Sequence, residues 1–251
     1  VELTKVKQPK ILCLDIETSY LMTATFSLWP KYISHDNILE DWYIICAAWK
    51  WVGQKRIYGE KCEGKCDKKV TKALREAILK ADEIVYHNGR KFDYKKINTR
   101  ILMNGLPPMD KPRECDTLLQ CRKHFGFTSN RLDHIGKLLN CGGKIKTSNH
   151  LWLEVLRGSK KALAEMFKYN KRDVELLEEV YLKIKPYIDT AYNVNIGKPV
   201  GLGCPKCGVD RAHNYGWKYT KTGKYKKFQC QACKSIYSSG TREKLDVIVD
   251  R

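Results

Sequence analysis

Asp15 and Glu17 stand two residues apart in the run "ILCLDIET", residues 11–18. Read as a strand, that run alternates its faces, so Cys13, Asp15 and Glu17 share one side. Two carboxylates held so close repel each other, and the site calls for a cation, a proton or open water. Alone, the pair fits equally well a strand end that simply reaches solvent. Asp93 closes "HNGRKFD", where a strand gives way to a helix. An acid there is also a plain N-cap, with Asn88–Gly89 as a turn. In "YNKRD", Tyr169 and Asp173 lie one helical turn apart. A second constellation is sulfur-based: "CPKCG" and "CQACK" contribute Cys204, Cys207, Cys230 and Cys233. Each C-x-x-C presents two thiolates to one tetrahedral ion, and two such knuckles make a four-cysteine zinc site. Redox pairs or free thiols are the alternative.

Several elements must position these groups. From Ser159 to Lys185 the pattern is one long helix, stopped by Pro186. At about 100° per residue, Leu163, Met166, Phe167, Asn170, Val174, Leu177, Tyr181 and Ile184 form one stripe. Tyr169 and Asp173 sit along one edge of it, able to line a cleft or to form a surface pair. Arg172 points nearly opposite, towards solvent. Upstream, "YIICAAWKW" and "KRIYG" read as strands separated by a turn at Gly53, "VTKALREAILKA" as a helix and "EIVYHNG" as a strand. "DYKKINTRILMNG" is a helix closed by Gly105, a short strand follows near Cys115, and "DTLLQCRKHF" and "NRLDHIGKLLN" are helices, the second capped by Asn130. This order predicts an α/β fold, a mixed sheet with helices packed on it.

The bulk properties agree. A chain of 251 residues has room for one domain and a small module. Its 47 Lys+Arg against 28 Asp+Glu give a charge of +19, which predicts attraction to polyanions, nucleic acid above all. A merely basic surface is the bland alternative. Eleven cysteines, an odd number scattered through strands and helices, suit a reducing interior and the cytoplasm. No segment has the length of a membrane span, and the N-terminus does not read as a signal peptide.

Taken together, Asp15, Glu17, Asp93 and Asp173, with Tyr169 one turn before the last acid, resemble the DEDD family of 3′–5′ exonucleases. The Y-x-x-x-D spacing indicates its tyrosine subclass, as in polymerase proofreading domains. The likeness runs from residue 10 to about 185 with the three motifs in the family's order. The fuller string, from "DIETSYLMTATFSLWPKYI" through "YHNGRKFD" and "NGLPP" to "YNKRDVELLEE", is similar to a largely phage-encoded group ending in a zinc ribbon. The resemblance implies a ribonuclease-H-like mixed five-stranded sheet flanked by helices. It also implies two Mg²⁺ or Mn²⁺ ions and hydrolysis of DNA from its 3′ end to nucleoside 5′-monophosphates. By that likeness Asp15 bridges the metals, Glu17 and Asp173 complete the site that activates water, and Asp93 holds the second ion largely through water. Tyr169 orients the water rather than deprotonating it, since an ordinary phenol titrates near about 10.

The expected organisation is an exonuclease domain over 1–190, a linker over 191–203, a zinc ribbon over 204–240 and a tail over 241–251. The partner is nucleic acid, DNA favoured, single-stranded or 3′-ended, with no membrane. If the chain is phage-encoded, its compartment is the host cytoplasm. Rival readings are a 3′–5′ exoribonuclease, a structure-specific endonuclease, and a nucleic-acid-binding protein whose catalytic site is a relic. Asn88 either contacts the terminal nucleotide or holds its turn. The loop carrying Phe26, Trp29 and Tyr32 either stacks on bases or folds over the core. Between the cysteine pairs, "YGWKYTKTGKYKKF" reads as a hairpin. There Trp217, Lys218, Lys221, Lys224, Lys226 and Lys227 suit phosphate contact and base stacking, or the aromatics form a mini-core that the lysines solvate. Cys62 and Cys66 read as loop thiols and His87 as structural.

Overall fold

The computed structural model describes residues 9–189, 193–194 and 203–243. The expected linker falls largely, and the tail in part, outside them. The chain forms two compact units, one over Lys10–Lys183 and one from Ile184 onward. Chain order in the first is β1 (Ile11–Thr18), β2 (Met22–Thr23), β3 (Ile38–Glu40), β4 (Ile44–Trp51), β5 (Ile57–Lys61), α1 (Lys68–Ile78), β6 (Glu83–Tyr86), α2 (Asp93–Met103), β7 (Arg113–Asp116), α3 (Thr117–His124), α4 (Leu132–Leu138), α5 (Asn149–Leu156) and α6 (Lys160–Ile184). The second unit carries β8 (Ala212–Thr220), β9 (Gly223–Cys230) and β10 (Ile236–Ser238). No helix is long and apolar enough to cross a membrane among the described residues.

The main sheet has five strands in the order β5-β4-β1-β6-β7. β1 is central: antiparallel to β4 from Leu12↔Trp51 to Thr18↔Ile44, parallel to β6 from Ile11↔Glu83 to Cys13↔Val85. β5 joins β4 antiparallel and β7 joins β6 parallel, so the sheet is the mixed five-stranded one expected. Leu12, Leu14 and Ile16, on one face of β1, are buried in an apolar cluster with Val70, Leu74 and Ile78 of α1 and Ile97 and Ile101 of α2. Each such side chain contributes on the order of 2 kcal/mol relative to an exposed one. The alternate residues Cys13, Asp15 and Glu17 take the other face, as strand geometry requires.

Helix α6 buries the stripe read from its periodicity: Met166, Asn170, Val174, Leu177, Tyr181 and Ile184 are all sealed from solvent. It lies very close to the sheet at Gly59, where a Cβ would meet the Ala47 carbonyl oxygen at 2.6 Å and the Phe167 ring at 2.7 Å. Glu178 of α6 accepts hydrogen bonds from the Lys50 ammonium and the Gly53 amide, tying the helix to the end of β4. On the α1/α2 side, wholly buried Asp67 accepts from the Ile44 amide, the Arg100 guanidinium and the Asn104 amide.

Three local expectations change. Helix α4 begins at Leu132 with Arg131 at its cap and no side-chain cap bond, so Asn130 lies outside it. Arg172 does not point free to solvent. Its guanidinium donates to the carbonyls of Cys141 and Gly143 and pairs with Glu175 and Glu179, drawing the α4–α5 loop onto α6. The aromatic segment after β1 is not folded over the core: Trp29 is 89% exposed, and Phe26, Leu28 and Tyr32 are equally open. Helix α5 was unexpected because "NHLWLEVL" is short and apolar on several sides.

In the second unit β9 is the middle strand of a three-stranded antiparallel sheet, β10-β9-β8. Val194 donates its amide to the Pro205 carbonyl, and Lys206 donates to the carbonyls of Pro186 and Ile188.

Candidate functional site

Strand β1 and helix α6 meet at the carboxylates. One oxygen each of Asp15, Glu17 and Asp173 lie within 4.8 Å of one another. Asp15 and Glu17 share that cluster because they are alternate residues of the central strand. Asp173 arrives because it sits three residues beyond Asn170, on the edge of the stripe that faces the sheet. The Asn170 side-chain amide donates to Asp15 Oδ2 at 2.6 Å, pinning helix and strand at this point.

Asp93 approaches from the other side. It is the first residue of α2, almost wholly buried, and its Oδ1 accepts the Ile16 amide at 3.1 Å. The ladder between β1 and β6 ends at Cys13, so the Ile16 N–H has no strand partner on that edge and the carboxylate takes it. Among the described residues Asp93 is not in the mutually close set of oxygens, yet its charge acts directly on Asp15.

The electrostatics are those of a crowded acidic pocket. Burial, then repulsion from Asp93 and Glu17, holds the Asp15 carboxyl far above the usual carboxylate range. Burial and then Asp173 push Glu17 up to about 8. Burial raises Asp93 to about 7 even though the Ile16 and Asp93 amides favour its charged form. The Tyr169 phenol is also pushed up, first by burial and then by Asp173, and the two side chains are hydrogen-bonded.

Among the described residues, Lys144 brings a cation to the cluster. Lys144 Nζ donates to Asp173 Oδ2 at 2.5 Å and to the Tyr169 hydroxyl at 3.4 Å, and its pKa is raised by Asp173 and Asp15 against the cost of burial. Lys144 lies in the loop between α4 and α5. Asp133 accepts its amide at 2.8 Å, and Arg172 grips the carbonyls of Cys141 and Gly143 just before it.

The donor set suits a hard divalent cation: carboxylate oxygens from three parts of the chain, at the end of a strand, with Asp15 and Glu17 only partly buried. Asp173 Oδ1 is buried with no hydrogen-bond partner, as is Asn170 Oδ1. Such an acceptor costs about 1–3 kcal/mol when left unmade and is well placed to take up a metal.

Beside the acids lies a cavity of about 670 Å³, lined by Asn88, Arg122, Ser129, Asp133 and Lys144 among others. Asn88 adopts a left-handed conformation (φ 67°). Its turn is braced by Asp116, which accepts the amides of Asn88, Arg90 and Leu118. The next residue must be small: a Cβ on Gly89 would strike the Tyr86 side chain. His87 joins the Thr117 hydroxyl to the Asn130 carbonyl, spanning the cavity wall.

The sulfur site is separate. Sγ atoms of Cys204, Cys207, Cys230 and Cys233 cluster within 4.8 Å, with Cys204–Cys233 and Cys207–Cys230 both at 3.6 Å. Four thiolates bonded to zinc at about 2.3 Å stand about 3.8 Å apart in a tetrahedron, so the spacing fits that ion. Burial raises the Cys204 thiol, but the Ser235 hydroxyl and the Cys207 and Lys206 amides outweigh it and bring it down to about 7.

Of the other residues expected to meet nucleic acid, Asn88 lines the cavity, whereas Trp29 stands in solvent beyond β2. Trp217, Lys218, Lys221, Lys224, Lys226 and Lys227 lie on the β8–β9 hairpin of the second unit. Lys144 escaped the sequence reading because "GGKIKTS" has no periodicity to aim it. Asn170 was visible in the helical stripe, but only as part of a core face.

Among solved structures, the chain is similar to the family B DNA polymerase from the hyperthermophilic archaeon Pyrobaculum calidifontis, with a TM-score of 0.54 and 14% identity. The likeness covers 86% of this chain and 32% of the polymerase, so the chain spans about a third of that protein, and what it establishes is the fold. No curated protein matches the sequence. A model of the RNase_H superfamily matches residues 45–185, a span holding Asp93, Tyr169 and Asp173, and the chain belongs to that superfamily.

Proposed function

We propose that the chain is a metal-dependent nuclease, and specifically a 3′–5′ exonuclease of the DEDD type that removes nucleoside 5′-monophosphates from DNA. The observation that carries this reading is the convergence of Asp15, Glu17 and Asp173 within 4.8 Å, with Asp93 bonded to the same strand. Those four acids would hold two Mg²⁺ or Mn²⁺ ions. The ions supply charge to a phosphodiester that otherwise repels attack and stabilise the departing oxygen.

The chain's own groups set the geometry. Asn170 fixes Asp15 by its 2.6 Å hydrogen bond. Tyr169 stays protonated near neutrality, because burial and Asp173 hold its proton, so its hydroxyl orients an attacking water and does not act as base. Lys144 holds Asp173 and the phenol together and adds a positive charge where a phosphate would enter. The adjoining cavity, with Asn88 and Arg122 on its wall, accepts the strand end, and Trp29 stacks on a base further along. In the second unit, the four cysteines would hold one structural Zn²⁺, whose binding supplies much of the folding energy of so small a module.

The test is direct. Purified protein is incubated with Mg²⁺ or Mn²⁺ and 5′-labelled single-stranded DNA, duplex DNA or RNA, beside Asp15→Asn. Stepwise shortening from the 3′ end of DNA, lost in the variant, is expected. Internal cuts, or preference for RNA, would move the assignment to one of the rival nucleases. Equal degradation by both proteins would remove the site.

A further inference from the structure

On the β8–β9 hairpin two aromatic side chains of β8 face solvent, and Trp217 between them is half-buried. Tyr219 is 70% exposed and Tyr215 47%, and β8 is open along nearly its whole length. The small core of this unit is built elsewhere, from Cys204, Cys230 and Ser235, with Phe228 and Tyr237 in ring contact at 5.8 Å. The mini-core reading therefore fails for Tyr215 and Tyr219, which are left for another role, while Trp217 is half-buried on the same strand.

Strand register decides which groups share a face. Trp217 opposes Lys226 and Tyr219 opposes Lys224, so these four stand on one side of the ribbon. Lys224 Nζ lies 4.9 Å and Lys226 Nζ 5.7 Å from the Trp217 ring centre. A bulge between Asn214 and Trp217, with Gly216 at φ 88°, turns Tyr215 the other way, beneath Lys227. Over 204–243 the only acids are Asp210 and Glu243. Glu243 pairs with Lys226, while Lys218, Lys221, Lys224 and Lys227 have no acidic partner among the described residues.

We infer that the Trp217–Tyr219 face of this hairpin binds single-stranded nucleic acid, with the two rings stacking on unpaired bases and Lys224 on a flanking phosphate. Two features select this occupant. The exposed Tyr219 ring beside half-buried Trp217 on one open strand matches the flat faces of bases, which a duplex keeps covered, and lysines without an acidic partner among the described residues match a polyanion. The inference takes its substrate class from the nuclease reading, but its test needs no catalysis.

The full-length chain is titrated with a fluorescent single-stranded oligonucleotide, DNA or RNA, and with a blunt duplex, in buffer free of added divalent metal and chelator. Wild type is compared with Trp217→Ala, Tyr219→Ala and Lys224→Gln, with zinc content measured for each. Loss of either ring is expected to weaken single-strand binding about fivefold or more, with less than a twofold change on duplex. Lys224→Gln should flatten the dependence of log affinity on log salt by about 0.7. Single-strand affinity unchanged within twofold in the ring variants would overturn the proposal, and so would an equal loss on duplex. Should Trp217→Ala shed its zinc, Tyr219→Ala decides. Failure of wild type to degrade DNA in Mg²⁺ would strike the nuclease reading and leave this result standing.

Discussion

The side-chain amide of Asn170 donates to Asp15 Oδ2 at 2.6 Å, across a separation of 155 residues in sequence. Asn170 is wholly buried, and its other polar atom has no partner. This contact ties α6 to β1. Asn170→Ala is expected to lower unfolding free energy by about 1–3 kcal/mol and to raise the Mg²⁺ concentration needed for activity. Asn170→Asp should do worse, adding another acid to the cluster. Urea unfolding and a Mg²⁺ titration of cleavage measure both effects.

Lys144 brings a cation to this cluster, with its ammonium on Asp173 at 2.5 Å. Asp173 is 2% exposed but Lys144 is 31% exposed, so solvent weakens the pair. Lys144→Met should therefore cost about 1–3 kcal/mol in metal-free buffer, below the usual penalty for breaking a fully buried pair. It should also slow cleavage more than tenfold at saturating Mg²⁺. A normal rate under those conditions would confine Lys144 to balancing charge when no metal is bound.

The raised carboxyl pKa values give metal-free stability a definite direction with pH. Burial holds Glu17 near about 8 and Asp93 near about 7, against ordinary values of 4.5 and 3.8. The folded state thus binds protons more tightly than the unfolded chain. The stabilisation is complete below the unfolded values and is lost as pH climbs through 7 and 8. In buffer without Mg²⁺ the urea midpoint should fall between pH 6 and 8.5, and added Mg²⁺ should restore more at the alkaline end (steps of about 1.4 kcal/mol per pKa unit set the scale). A midpoint that rises over this interval would contradict the crowding of acids described above.

The thiol cluster predicts one zinc per chain by elemental analysis. Cys204→Ala removes a buried ligand and should release the metal and unfold the second unit. Trp217, on β8, reports the change by fluorescence. Retention of zinc in this variant would contradict a four-cysteine site.

Asp67 offers a test of the fold away from the acids. It is wholly buried and accepts from Ile44, Arg100 and Asn104, linking β4, α1 and α2. Asp67→Ala leaves Arg100 without its partner and should cost about 3–5 kcal/mol. Thermal unfolding measures the loss.

The parts legible in the sequence are those that a repeating geometry aims. Alternation along β1 placed Asp15 and Glu17 together, and the helical stripe of α6 brought Asp173 to the sheet. C-x-x-C spacing brought the four thiols together. The illegible parts lie where no period operates. Lys144 and its brace, Arg172, meet across a loop whose path depends on Gly142 at φ 80° and on the Cys141 and Gly143 carbonyls, which lie 31 and 29 residues from Arg172 in sequence. The ribbon aromatics were ambiguous for another reason. Pairing rules say which side chains share a face, but only packing says whether anything lies on top of them.

On the proposed reading Asp93 would do two jobs at once, since its carboxylate also completes the backbone pairing of Ile16 where β6 has already turned away. A descendant that abandoned chemistry would still need an acceptor at that position, as mortar for the sheet. Glu17 has no such masonry duty among the described residues, and drift there would be the first legible sign of a retired enzyme.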